Sequence, residues 1–200
     1  MGNHLDNSNL RQEKKYILSI NELNNFEKKL IYFGFKLNHS HNKLNNIYFD
    51  DLGFSSAVQN INGDLFRSKH RIRWYNDNNN YVLEEKIKKS SSGCKLKINL
   101  KSKSLFDALN EVEEMTNKKP VVQNSYNRSY YIYKKSRITI DKNIRFKLPK
   151  MTFEKVYLNS IIEVKYNTED LIDLNAIFNN FSQLSKFSKY LEGLKSFNLI

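Results

Sequence analysis

A single cysteine, Cys94, stands among the 200 residues of this chain. That scarcity excludes an internal disulfide and a cysteine-based zinc cluster, and it points to a reducing compartment, the cytoplasm. Long apolar runs are missing as well. No stretch approaches the roughly 18 apolar residues of a membrane helix, and residues 1–10 hold no apolar core of a signal peptide. The sequence therefore predicts a chain that does not insert into a membrane. Proline is scarce, and both prolines, Pro120 and Pro149, fall outside the strands predicted below. No fixed repeat period is visible.

Negative charge is also in deficit. Lys and Arg number 33 against 21 Asp and Glu, a net charge of +12, which calls for a polyanionic partner such as nucleic acid, a phosphate chain or acidic lipid. With 40% hydrophobic residues the chain is long enough to build one domain with a genuine core. That domain is expected over residues 10–200, behind a flexible polar leader at 1–9.

Ser19 can cap a helix from Asn21 to Phe33, because Leu23, Phe26, Leu30 and Phe33 recur at helical spacing and Gly34 follows as a stop. From Phe35 to about Leu100 the pattern changes to alternation. It is broken by Asn62-Gly63, by the run Asp77 to Asn80 and by the run Ser90 to Gly93, which read as hairpin or loop connections. Strands are expected at Asn46 to Phe49, Lys69 to Tyr75, Tyr81 to Lys88 and Cys94 to Leu100. A helix capped by Ser104 runs to Met115. Further strands at Ser125 to Tyr133, Ser136 to Asp141 and Ser160 to Tyr166 precede a helix at Thr168 to Phe178. The class is α+β.

Residues two apart in a strand share a face, and here charges share faces repeatedly. Arg11, Glu13 and Lys15 align. So do Lys69, Arg71 and Arg73, with Ile72 and Trp74 opposite, and Glu84, Lys86 and Lys88, with Leu83 and Ile87 opposite. Tyr126 with Arg128, then Arg137, Thr139 and Asp141, then Glu163 and Lys165 continue the pattern. One such strand reads as a half-buried strand with a solvated face. Six together place like charges side by side, where they repel unless an anion lies among them. If the strands close into a barrel with this face inward, the lumen is a basic channel and the helices cover the apolar outside.

The motifs that carry this pattern are Arg-x-Glu-x-Lys-Tyr at 11–16, Tyr-Phe-Asp at 48–50, Lys-x-Arg-x-Arg at 69–73 and Leu-Glu-x-Lys-x-Lys at 83–88. They continue with Tyr-x-Arg at 126–128, Arg-Ile-Thr-Ile-Asp at 137–141, Ile-Glu-Val-Lys at 162–165 and Ser-Lys-Tyr at 188–190. Their order and spacing resemble the VTC (vacuolar transporter chaperone) domain of the triphosphate tunnel metalloenzymes. The resemblance implies an antiparallel β-barrel tunnel of about eight strands with helices packed outside. It also implies a polyphosphate polymerase activity that uses a nucleoside triphosphate, ATP, and Mn²⁺ or Mg²⁺.

By motif position the resemblance assigns triphosphate binding to Lys15, Arg71, Arg73, Lys86, Arg128 and Arg137, and phosphate contact to Tyr126, Ser188 and Lys189. Glu163 is the implied metal ligand, and Glu163, Arg73 and Lys189 are the implied catalytic set. Lys69, Lys88 and Lys165 have a supporting electrostatic role, and Glu13 and Glu84 are candidates for a second metal or pairing carboxylate. Arg11 stands where the related Glu-x-Glu-x-Lys hydrolases and cyclases carry their first glutamate, which favours the polymerase branch. The membrane segments and inositol-phosphate-sensing domain of the eukaryotic polymerases have no counterpart here, so coupled export and that mode of regulation are not expected.

Phosphoryl transfer is catalysed mainly by positioning and charge neutralisation. Arginine forks and lysine point charges suit it, and a carboxylate such as Glu163 is a hard ligand for Mg²⁺ or Mn²⁺. A tripolyphosphatase on the same scaffold needs the same cations and differs in admitting water. A polyanion-binding module is the non-enzymatic alternative, with single-stranded nucleic acid disfavoured because Trp74 alternates away from Arg71 and Arg73. His39 and His41 read as a solvated polar loop without a third ligand, Cys94 as a structural thiol, and Asp50 and Asp51 as part of a turn.

Overall fold

The computed structural model of the protein describes residues 12–76, 78–90, 92–166, 176–178 and 184–200. Among the described residues the elements follow in the order β1 (Gln12–Leu18), α1 (Ile20–Tyr32), β2 (Lys36–Asp50), α2 (Ser55–Asn62), β3 (Phe66–Tyr75), β4 (Val82–Lys89), β5 (Ser92–Asn99), α3 (Leu105–Thr116), β6 (Lys119–Tyr133), β7 (Ser136–Lys147), β8 (Lys155–Tyr157), β9 (Ser160–Tyr166) and α4 (Lys189–Ser196). Hydrogen bonding runs β1-β9-β7-β6-β2-β3-β4-β5, with β8 on β7. The expected α+β class and antiparallel sheet are present. None of the described helices is long and apolar enough to cross a membrane.

Two compact units divide the chain. The first comprises residues 1–40, 129–141 and 159–187. In it β9 lies between β1 and β7, and one face of the three strands supplies Tyr16, Leu18, Ile138, Ile140, Ile162, Val164 and Tyr166 to a core closed by Leu23, Phe26 and Leu30 of α1. Helix α1 starts on a reciprocal cap: Glu22 N–H donates to Ser19 Oγ at 3.4 Å, and Ser19 N–H donates to the Glu22 carboxylate at 2.7 Å. It stops at Gly34, whose φ of 82° suits glycine alone. The helix predicted at Thr168 to Phe178 lies largely outside the described residues; residues 176–178 are helical.

The second unit comprises residues 41–128, 142–158 and 188–200. Strands β3, β4 and β5 form an antiparallel meander, and β2 pairs with β3. Ile47, Phe49, Ile72, Trp74, Tyr81 and Leu83 line one face and pack under Ala108 and Val112 of α3, each large side chain contributing about 1.5–3 kcal/mol by leaving water. Ser104 caps α3 as expected, its Oγ accepting from Asp107 N–H at 3.1 Å.

Several expectations are corrected. Of the hairpin or loop expected at Asn62-Gly63, the loop is present and the hairpin is not: Asn62 ends helix α2 and Gly63, at φ 75°, is its C-cap at the start of the connection to β3. That helix escapes the periodicity reading because the residues it buries, Ser56 and Ala57, are small. Pro120 lies in β6, which begins at Lys119 rather than Ser125, so the proline falls at the very start of the strand and not in its interior. His39 and His41 are strand residues of β2, not a loop. Cys94 is exposed on β5, so it is no packed structural thiol. Asp50 ends β2 and is fully buried, while Asp51 stands in the turn.

Helix α4 was not legible, because Gly193 interrupts it. The glycine is there for proximity. A Cβ at that position would lie 2.8 Å from Val122 Cγ2 and 3.0 Å from Phe146 Cδ1, both on buried side chains. Gly193→Ala should gain about 1 kcal/mol of helix propensity and lose about 1–3 kcal/mol to overpacking. A net fall in the thermal midpoint is expected; a rise would show that α4 is seated more loosely.

Candidate functional site

On the face of the second unit opposite Ile72 and Trp74, directly paired residues form cross-strand rows: Tyr48-Arg71-Glu84-Lys97, then Lys69-Lys86-Lys95. The centre is the buried carboxylate of Glu84. Arg71 donates to its Oε2 from Nε at 2.8 Å and from Nη2 at 2.6 Å, Arg73 Nη1 lies 3.6 Å from the same oxygen, and Lys95 Nζ is 2.5 Å from Oε1. Glu84 is therefore a pairing carboxylate, one of the two roles expected for it. Three cations meet one anion, so the cluster retains positive charge.

Burial works against the charge of Glu84, but Arg71, Arg73 and Lys95 overcome it and hold the carboxyl down at about 2. Burial also pulls the Lys95 ammonium down to about 8, against the opposing pull of Glu84. A carboxyl depressed in the folded state contributes stability above its ordinary value of about 4.5, and that contribution is lost as pH falls toward about 2. The stability gap between wild type and Glu84→Gln in urea melts is expected to shrink across that window. A gap independent of pH would contradict the ion-pair reading.

Arg73 is held in place before any ligand arrives. Its Nε donates to Asn46 Oδ1 at 2.8 Å and its Nη2 to Tyr126 Oη at 3.2 Å. Asn46 in turn donates from Nδ2 to Asn124 Oδ1 at 2.9 Å, while the buried Nδ2 of Asn124 has no acceptor among the described residues. Arg71 Nη1 donates to Tyr48 Oη at 3.2 Å. Two further cations converge on Tyr126: Lys189 Nζ sits 4.5 Å from its ring centre and the Arg128 guanidinium 5.3 Å. Ser188 is the N-cap of α4 yet makes no side-chain cap bond; its Oγ accepts from Lys69 Nζ at 3.3 Å.

The second unit thus brings together Arg71, Arg73, Tyr126, Arg128, Ser188 and Lys189, with Lys69 beside them. Lys86 lies in the adjacent row and is exposed. Asn46, Asn124 and Lys95 are not marked by any sequence motif, and Tyr48, although part of the Tyr-Phe-Asp motif, carries no assigned role there. Alternation could have found Lys95, since Lys95 and Lys97 alternate with Leu96 and Ile98.

The first unit holds Lys15, Glu163 and Arg137. Lys15 pairs with Glu163 across β1 and β9, Glu13 with Lys165, and Lys165 with the exposed Arg137 across β9 and β7. Two carboxylates share two ammonium groups. Lys15 Nζ lies 3.3 Å from Glu13 and 3.9 Å from Glu163, and Lys165 Nζ lies 3.3 Å from Glu13 and 3.4 Å from Glu163. Lys15 Nζ also donates to the Phe187 carbonyl at 3.4 Å. Arg11 lies outside the described residues.

The carboxylates of Glu13 and Glu163 are donors of the type that a hard divalent cation takes. Glu163 is partly buried and Glu13 exposed, and a bound cation would displace the Lys15 and Lys165 ammonium groups that pair with both. No set of three or more His, Cys, Asp or Glu side chains suited to a metal occurs among the described residues, so phosphate oxygens and water would have to complete the coordination.

The sequence matches the VTC domain over residues 4–119 and 107–198. No curated protein matches it. Among solved structures it is similar to a candidate adenylate cyclase from Vibrio parahaemolyticus, with a TM-score of 0.61 and 15% identity over 93% of this chain and 98% of that one. A candidate adenylate cyclase from Bacillus halodurans gives a TM-score of 0.58 and 16% identity, covering 94% and 97% of the two chains. A protein from Pyrococcus horikoshii gives 0.58 and 14%, covering 92% and 99%. At such identities these likenesses concern the fold. With the family match spanning nearly the whole chain and the motifs in order along it, this chain belongs to the VTC domain family.

Proposed function

We propose that this protein is a polyphosphate-synthesising phosphotransferase that moves the γ-phosphate of a nucleoside triphosphate, ATP, onto a growing polyphosphate chain. The observation that carries the reading is the fixing of Arg73 by Asn46, Tyr126 and Glu84. A buried guanidinium held on several sides costs little reorganisation when it receives phosphate oxygens, which is the preorganisation that phosphoryl transfer requires. The buried Asn124 Nδ2, without an acceptor among the described residues, and the convergence of Arg128 and Lys189 on Tyr126 suit the same polyanion.

In this mechanism a terminal oxygen of the polyphosphate chain attacks the γ-phosphorus. The bond to the β,γ-bridging oxygen breaks, its electron pair leaves with the nucleoside diphosphate, and the chain grows by one phosphate. Arg71 and Arg73 hold equatorial oxygens in fork geometry, while Lys189 and Ser188 orient the chain. Glu13 and Glu163 would hold Mn²⁺ or Mg²⁺, which when bound supplies charge neutralisation at phosphate oxygens. Lys15, Lys165 and Arg137 supply further positive charge in the first unit.

The test is to incubate the purified protein with ATP and Mn²⁺ and analyse the products. Long-chain polyphosphate together with ADP supports the proposal. Free phosphate without polymer would point instead to a tripolyphosphatase on the same fold.

A further inference from the structure

Below the phosphate-facing residues of the second unit lies a buried polar contact that the proposed mechanism does not use. Asp50, fully buried at the end of β2, accepts backbone N–H groups from Asp51 at 3.0 Å, Ser56 at 3.1 Å and Ala57 at 3.1 Å. The latter two belong to the first turn of α2, whose own N-cap, Phe54, offers no side-chain bond. Asp50 therefore caps α2 from outside the helix, at its positive end. Lys118 Nζ lies 3.9 Å from the same carboxylate and donates to Ser56 Oγ at 2.9 Å. The Tyr190 hydroxyl also donates to Asp50.

Tyr190 follows Lys189 directly and sits in the first turn of α4. Its ring is buried and stacked on Tyr48 with centroids 5.1 Å apart, and Lys69 Nζ lies 5.9 Å from its centre. Tyr48 receives Arg71, and Lys69 reaches Ser188. An apolar residue would fill this space without needing a partner for a buried hydroxyl, as Leu194 does one turn later. What the hydroxyl adds is direction. Gly193 seats the second turn of the eight-residue helix by close approach, and only the first turn carries Ser188 and Lys189.

We propose that the Tyr190–Asp50 hydrogen bond is a positioning device that fixes the rotation of the first turn of α4 and so aims Lys189 at the phosphate chain. This rests on the triphosphate reading of the site. Tyr190 is a positioning residue here, acting through Lys189. Burial, and next the bond to Asp50, push its hydroxyl well above the usual tyrosine range, so it stays a donor at any physiological pH.

The experiment is a double-mutant cycle read by calorimetric binding of inorganic tripolyphosphate, with thermal midpoints taken in parallel. Tyr190→Phe keeps the ring and leaves Asp50 its three amides, so the fold is expected to persist. It should weaken binding about 5-fold and Lys189→Ala about 30-fold, while the double variant matches Lys189→Ala alone to within about 2-fold, since a device acting through Lys189 has nothing left to aim. Effects that simply multiply, or a Tyr190→Phe protein that binds as wild type does, would overturn the positioning role. A wild-type protein that fails to bind tripolyphosphate would overturn the triphosphate reading and this proposal with it.

Discussion

Arg73→Ala should lower affinity for inorganic tripolyphosphate by about 100-fold, the loss expected when a buried fork that donates to phosphate oxygens is removed. Of the cations around Glu84, Arg73 is the one held by Asn46 and Tyr126 as well. Its removal also strips Asn46 of a partner, so the alanine variant is expected to unfold at lower temperature. Arg73→Lys separates the two effects. It keeps the charge and loses the planar fork, so affinity should fall by about 10-fold or more with a smaller loss of stability. If Arg73→Lys binds tripolyphosphate as tightly as wild type, the fork is not what holds the ligand. Arg71→Ala should behave similarly, with an added loss of order around Glu84, since Arg71 supplies the two-pronged contact to that carboxylate.

Glu163→Ala should have the opposite profile. Its carboxylate pairs with Lys15 and Lys165. Deleting it leaves those ammonium groups less neutralised, so metal-free tripolyphosphate binding should be unchanged or tighter. Turnover with ATP and Mn²⁺ should fall by about 100-fold or more, the scale of losing the group that would hold the metal. Full metal-dependent turnover in this variant would remove Glu163 from the mechanism. Together the two variants make a sharp contrast, one losing binding and the other losing turnover while binding persists.

The features that could be read from the sequence are those with a local signal. The alternation of Arg71 and Arg73 with Ile72 and Trp74 placed two residue types on two faces, and the structure has them there: Ile72 and Trp74 pack under α3 and the arginines meet Glu84. Ser19 and Ser104 announced their helices by capping chemistry confined to four residues. What stayed illegible depends on partners distant in the chain. Helix α2 is capped by Asp50 rather than by its own N-cap residue, and α4 contains a glycine required by Val122 and Phe146. Asn46 looks like any strand asparagine until β3 and β6 bring Arg73 and Asn124 to it. The site was legible as a set of cations and not as the polar frame that holds them.

On the proposed function, the cations of the second unit form a built site for linear phosphate chains rather than a generally basic surface. Calorimetric titration of the wild-type protein with inorganic tripolyphosphate, beside a single-stranded oligonucleotide of equal charge, tests it directly. A saturable tripolyphosphate site, with much weaker oligonucleotide binding whose affinity falls steeply with salt, is the predicted result. Equal affinity for both anions, or no saturable tripolyphosphate binding, would contradict it.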